Sequence, residues 1–382
     1  MLDLSFSPPP ESTAAEATRR EIRAFLHTEL AGRSAAARAQ SWNGYDAAFS
    51  RKLGANGWLG MTWPKEYGGQ ERSALERYVV IEELLAAGAP VTAHWIAERQ
   101  SGPTILRYGT EEQRRRILPA ITRGECYFCI GMSEADSGSD LASARTRAVE
   151  TEGGYVVNGS KLWTTNAHRS HYMILFCKTG GDADDRHAGA SQFLVDLTLP
   201  GIEIRPIHFL TGEHHFNEVS FQDVFLPADA LLGQKGQGWA QVTGELAFER
   251  SGPDRFLSSF AAVTAFTARI GSEPTERQAE ALGRIASQLV VLRRMSRSVA
   301  GMLENRQDPS LQAAIVKDLG TTLEQDIPEI VRRTVPVEPG ENGAEELEAA
   351  LDYLIQHAPS FSLRGGTREI LRGIIARGIG LR

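Results

Sequence analysis

Three cysteines in 382 residues, Cys126, Cys129 and Cys177, are too few for a disulfide framework and exclude a small cross-linked secreted scaffold. No apolar run approaches the ~20 residues of a membrane span, and no apolar signal core stands at the N-terminus. Basic charge is not in excess either. The 41 Lys and Arg stand against 48 Asp and Glu, a net charge of −7, which argues against a nucleic-acid surface. Internal repeats and low-complexity tracts are also missing. These absences suit a globular protein of a reducing cytoplasm, and 42% apolar residues suffice for two or three domains.

Local clusters bend that frame little. The run "RRR" at 114–116 lies on an expected helix beside Glu111 and Glu112, so it reads as a solvated face. Cys126 and Cys129 form C-x-x-C with no second pair, and Tyr127 and Phe128 between them fit a buried strand better than a zinc or redox site. His214 and His215 lack a third ligand at metal-site spacing and are expected in a loop or at the surface; no metal is expected.

The texture of the chain changes twice. Residues 1–125 carry apolar positions at three- and four-residue intervals, as in "EATRREIRAFLHTEL" and "LERYVVIEELLAAG", which predicts a helical domain. Thr110 and Gln113 predict a capping box. In residues 126–235 the period falls to two and short strands follow one another. There "GYVVNGSKLWTTN" reads as a hairpin turning at Asn158-Gly159. Residues 236–382 return to helices, with an acidic Pro/Gly loop at 335–346. The expected fold class is α+β: a helical domain, a β-barrel or sandwich, then a four-helix bundle.

Four stretches carry chemistry. "MSEADSGSD" puts Ser133, Gly138 and Ser139 at a strand-to-loop transition, where N–H and hydroxyl groups hold anionic oxygens, or simply close a local turn. "KLWTTN" puts Trp163 and Thr165 on one strand face, suited to a planar ring or to an ordinary core. "GELAFERSG" puts Glu245 and Glu249 on one helix face, with Arg250 next; alone, this is a surface feature. "LRGGTREI" brings backbone close to something with no reactive side chain between Arg364 and Thr367.

Taken in order, "GPTILRYGTEEQRRRILPAITRGE", "GMSEADSGSDLASARTRA", "GYVVNGSKLWTTNA", "NEVSFQDVFLPADALLGQKGQGW", "LAFER" and "RGGTREI" resemble the acyl-CoA dehydrogenases from about residue 15 to the end. The resemblance implies FAD, an acyl-CoA substrate, lipid metabolism and an electron-transfer flavoprotein or similar acceptor. It implies that Met132, Ser133, Gly138, Ser139, Trp163, Thr165, Gly366 and Thr367 bind the flavin, and that Ser139 and Arg250 face the substrate. Much of the family has its α-proton base, a glutamate, at the position of Gly365. A subset that includes the isovaleryl and long-chain enzymes carries it on a helix just before an arginine. Gly365 and Glu249 show both halves of that exchange, so Glu249 is the implied base and the Gly365 N–H an oxyanion donor.

Two family signatures are missing. The Arg-Phe-Gly run is not evident in "FTARIGSEPTERQ", and "YLIQHAPSFSLRGG" stands where Gln-x-x-Gly-Gly-x-Gly is usual. They leave two alternatives: a flavin-poor structural or regulatory subunit of a hetero-oligomeric acyl-CoA dehydrogenase, or a flavin monooxygenase or oxidase on the same fold. Apolar faces such as "IASQLVVL" predict a homodimer or homotetramer.

Overall fold

A computed structural model describes residues 4–180, 185–250, 252–335 and 344–381. The chain begins with seven helices: α1 (Thr13–Glu29), α2 (Ala35–Ala39), α3 (Ala47–Ala55), α4 (Ala74–Ala86), α5 (Thr92–Ile96), α6 (Gly102–Tyr108) and α7 (Glu111–Thr122). Strands follow as β1 (Phe128–Gly131), β2 (Arg147–Thr151), β3 (Gly154–Thr165), β4 (Tyr172–Lys178), β5 (Ala190–Asp196), β6 (Ile202–His208), β7 (His214–Pro227) and β8 (Leu231–Leu232). Helices then return as α8 (Gly238–Glu249), α9 (Phe260–Ile270), α10 (Glu276–Glu304), α11 (Ser310–Thr334), α12 (Ala344–Phe361) and α13 (Arg368–Gly378). Most of the predicted acidic loop at 335–346 falls outside the described residues.

The helices start where the sequence offers caps. Ser73 with Glu76, Thr110 with Gln113 and Thr275 with Gln278 form complete capping boxes, each satisfying two otherwise orphaned N–H groups. One turn of π-helix, Ala97–Ser101, joins α5 to α6.

The chain forms two compact units. One comprises Met1–Asp46, Arg72–Thr92 and Ala247–Arg382. In it α9, α10, α11 and α12 form the bundle, α13 packs on α11, and α4 packs on α1 and α10. Buried charge ties the N-terminal helices down: Glu82 and Glu83 of α4 accept Arg19 and Arg23 from α1, and Glu82 also accepts Arg293 from α10.

The other unit, Ala47–Glu71 and Ala93–Leu246, holds the strands. They form one open sheet in the order β6-β7-β3-β2-β4-β5-β8, with β1 parallel to β4. Only Arg147↔Lys178 joins β2 to β4, so the sheet bends there into two halves. Val157, Val219 and Phe221 of one half pack with Cys129, Leu175 and Phe193 of the other, a sandwich-like core.

Two sequence expectations fail here. Asn158-Gly159 is not a hairpin turn, because β3 runs through it unbroken, and the turn is Glu152-Gly153, with Thr151 opposite Gly154. Gly159 instead sits at a register shift with φ +145°, where a Cβ would come within 2.6 Å of Thr146. His214 and His215 lie on β7 rather than in a loop, and His214 stacks on His168 at 3.8 Å. Cys126, Cys129 and Cys177 are buried free thiols, each pushed up to about 12 by burial. Glu111 pairs with Arg114 and Arg115, the solvated face expected of "RRR".

Candidate functional site

In the strand-bearing unit the candidate residues gather around the start of the loop after β1 and the end of β3. Lys161, fully buried on β3, donates to the Met132 carbonyl at 2.9 Å and to Glu134 Oε1 at 2.7 Å. Leu162 N–H donates to the Ser133 carbonyl at 2.8 Å, and Glu134 also accepts the N–H groups of Arg145 and Thr146. Burial pushes the Glu134 carboxyl up, but the Lys161 ammonium and those two N–H groups outweigh it and hold it below the usual value. Burial pulls the Lys161 ammonium down from its ordinary value, with Glu134 opposing. The segment 132–134 is thus fixed along β3, and the residues after it are released to solvent: Gly138 and Ser139 are exposed, and a Cβ on Gly138 would meet nothing within 4 Å.

Next to this fixed edge β3 breaks its register between Lys161 and Thr164. Trp163 takes φ +60° and is 55% exposed, its indole edge-on to Phe216 at 5.9 Å. Thr164 turns into the core, its carbonyl held by buried Asn217 at 3.0 Å, and Thr165 is half-buried. An exposed Trp in a left-handed conformation is costly for an L-residue. The reading of Trp163 as ordinary core is excluded. An exposed indole offers a face on which a planar ring can stack.

In the helical unit the glycine pair before α13 is held from two sides. Arg250 Nε donates to the Gly365 carbonyl at 3.0 Å, and Lys317 Nζ donates to the Gly366 carbonyl at 2.7 Å. Arg250 and Lys317 are both buried. Gly365 and Gly366 have φ +62° and +101°, left-handed values that glycine adopts without strain. Thr367 caps α13, its hydroxyl accepting Ile370 N–H at 3.5 Å. Glu245 and Glu249 both lie on α8, but their side chains are outside the described residues. Sequence reasoning missed Lys317 entirely: it lies 49 residues from the Gly366 carbonyl it holds, and no local spacing marks it.

Among the described residues no group of three or more His, Cys, Asp or Glu is placed to hold an ion. No described helix is long and apolar enough to cross a membrane.

The described chain runs through helices, a bent eight-stranded sheet and a terminal helical bundle, with a twin-glycine loop before the last helix. Models of the acyl-CoA dehydrogenase N-terminal, middle and C-terminal domains match residues 12–125, 129–224 and 236–380, and the chain belongs to that family. Family enzymes dehydrogenate acyl-CoA and generally use FAD. The chain is 34% identical over 339 residues to the acyl-CoA dehydrogenase FadE29 of Mycobacterium tuberculosis, covering 86% of each. Among solved structures it is similar to the Tcur3481-Tcur3483 steroid ACAD, with a TM-score of 0.84 and 29% identity over 97% of this chain and 98% of that one. It is also similar to the ChsE4-ChsE5 complex from Mycobacterium tuberculosis, with a TM-score of 0.81 and 27% identity over 98% of each chain.

Proposed function

We propose that this chain is a FAD-dependent dehydrogenase that forms the α,β double bond of an acyl-CoA thioester, with Glu249 as the base. The observation that carries this reading is the Arg250–Gly365 hydrogen bond. The residue that follows Glu249 is bonded to the loop where much of the family carries its carboxylate, so a base on α8 and a base on that loop are alternatives within one neighbourhood.

A thioester α-proton is poorly acidic, so the chain must both remove it and stabilise the enolate. Glu249 takes the α-proton; the Gly365 N–H donates to the thioester carbonyl oxygen as negative charge develops there. Arg250 faces the substrate side of the loop. FAD, when bound, supplies the hydride acceptor. The family resemblance implies that Met132, Ser133, Gly138, Ser139, Trp163, Thr165, Gly366 and Thr367 would hold it, with the Trp163 indole available for stacking and the Thr165 hydroxyl for a hydrogen bond, and that Ser139 would also meet the CoA. The open Gly138 loop and exposed Trp163 fit such a group. The case for contacts to a neighbouring subunit's cofactor is weaker, because α9 ends at Ile270 and Gly271 without the Phe and α12 carries no twin glycine.

The bulk freed at Gly365 favours branched or large acyl groups, and the likeness to a steroid ACAD supports that class. We keep residues 1–125, 126–235 and 236–382 as the functional segments. Assembly as a homodimer or homotetramer rests on apolar surface of the last segment, where Val290 and Val291 of α10 are exposed. An electron-transfer flavoprotein or similar acceptor takes the electrons onward.

The test is direct. Purified protein should carry a flavin spectrum that bleaches anaerobically with its best acyl-CoA from a panel of straight, branched and steroid-side-chain thioesters. Loaded protein that no thioester bleaches would reject the reading. A second reading, a flavin-poor subunit of a hetero-oligomer, is favoured by the two missing signatures and by the two-chain complex among the similar structures. Colourless protein that takes up no added FAD would select it.

A further inference from the structure

Arg250 and Lys317 grip consecutive carbonyl groups of one turn, and that repetition needs a reason. A buried ammonium is expensive to desolvate, and a surface lysine would serve a merely structural helix contact better. Lys317 is fully buried on α11 and spends a 2.7 Å hydrogen bond on a backbone oxygen. Peptide planarity turns each grip into a direction. The Gly365 carbonyl lies antiparallel to the Gly366 N–H, and the Gly366 carbonyl to the Thr367 N–H. Fixing both oxygens therefore fixes both peptide planes of a turn that two left-handed glycines would otherwise leave loose. Arg364 also supports the loop, its guanidinium donating to Ser258 and Glu324. That bond holds the turn at its entry, while Lys317 holds it at its exit.

We propose that Lys317 is a positioning residue for the oxyanion donor: the plane it fixes carries the Thr367 N–H, so by anchoring the exit of the Gly365–Gly366 turn, as Arg364 anchors its entry, it restrains the Gly365 N–H between them that meets the thioester oxygen. This rests on the dehydrogenase reading above. Its consequence is specific to charge development. Ground-state binding should change little, whereas stabilisation of an enolate should fall.

The experiment compares Lys317→Met, Lys317→Gln and Lys317→Arg with the wild type, all as FAD-loaded protein. Acetoacetyl-CoA is the probe, because its enolate gives a long-wavelength charge-transfer band whose pH dependence reports how strongly the site stabilises that anion. In Lys317→Met the band should require a pH higher by about one unit, with kcat lower on the order of 10-fold to 10²-fold and KM nearly unchanged. Lys317→Arg, which retains a charged donor, should recover part of both. In flavin-free protein, amide exchange of the 363–371 segment should quicken without a matching fall in the thermal midpoint. If Lys317→Met does not fold, Lys317→Gln carries the same comparison, its shorter neutral donor giving a smaller shift in the same direction. A folded, FAD-loaded variant with the wild-type enolisation profile and kcat would overturn the proposal. Wild-type protein that gives no band with acetoacetyl-CoA would instead overturn the dehydrogenase reading itself.

Discussion

Arg364 reaches from the loop before α13 to Glu324 of α11 at 3.2 Å, and its guanidinium lies 4.2 Å over the Trp42 ring. Glu324 is fully buried, accepts Ser258 N–H at 2.7 Å, and has its carboxyl pushed up by burial against the pull of Arg364. Removing the cation strands a buried acid. Arg364→Ala should cost roughly 3–5 kcal/mol in denaturant unfolding, and adding Glu324→Gln should return part of it. An additive double variant would show that the two do not depend on each other.

The base assignment predicts that Glu249→Gln keeps flavin content and acyl-CoA binding but slows flavin reduction by about 10²–10⁴-fold, while Glu245→Gln does far less. Stopped-flow reduction by the best acyl-CoA measures both. A wild-type rate in flavin-loaded Glu249→Gln rejects the assignment.

Two glycines in the strand-bearing unit should behave oppositely. Gly159→Ala meets Thr146 at 2.6 Å with φ +145°, so it should destabilise by about 1–3 kcal/mol. Gly138→Ala meets nothing and should stay within about 0.5 kcal/mol, yet lower FAD occupancy if the cofactor comes close to that backbone. Unfolding curves of flavin-free protein and flavin-to-protein ratios separate the two effects.

His94 is buried with Nδ1 2.8 Å from the Ser50 hydroxyl, and burial pulls its imidazole down to about 4. The unfolded chain takes up this proton near pH 6.5 and the folded protein only near 4, so its stabilising contribution is complete above about 6.5 and declines as pH falls toward 4. The decline should be of order 3 kcal/mol, and His94→Gln should flatten it. Stability measured from pH 7.5 to 4 would show an unchanged slope if His94 were accessible to protons when folded.

Much was legible in the chain itself, because the signals were local. The cap at Thr110 fixes a helix start within four residues of sequence, and the helical and strand periods separate the three segments. The paired absence of a side chain at Gly365 and presence of Glu249 is a sequence fact, and so are the candidate cofactor residues. Tertiary structure decided what depends on partners far along the chain. Asn158-Gly159 has the chemistry of a turn, but β3 pairs with β7 on both sides of it, and the same glycine becomes a bulge pressed against Thr146. His168 and His214 stack although 46 residues apart. Lys317 has no motif of its own; its role appears only when α11 brings its ammonium to the Gly366 carbonyl, because a backbone acceptor leaves no trace in the identity of the residue that offers it.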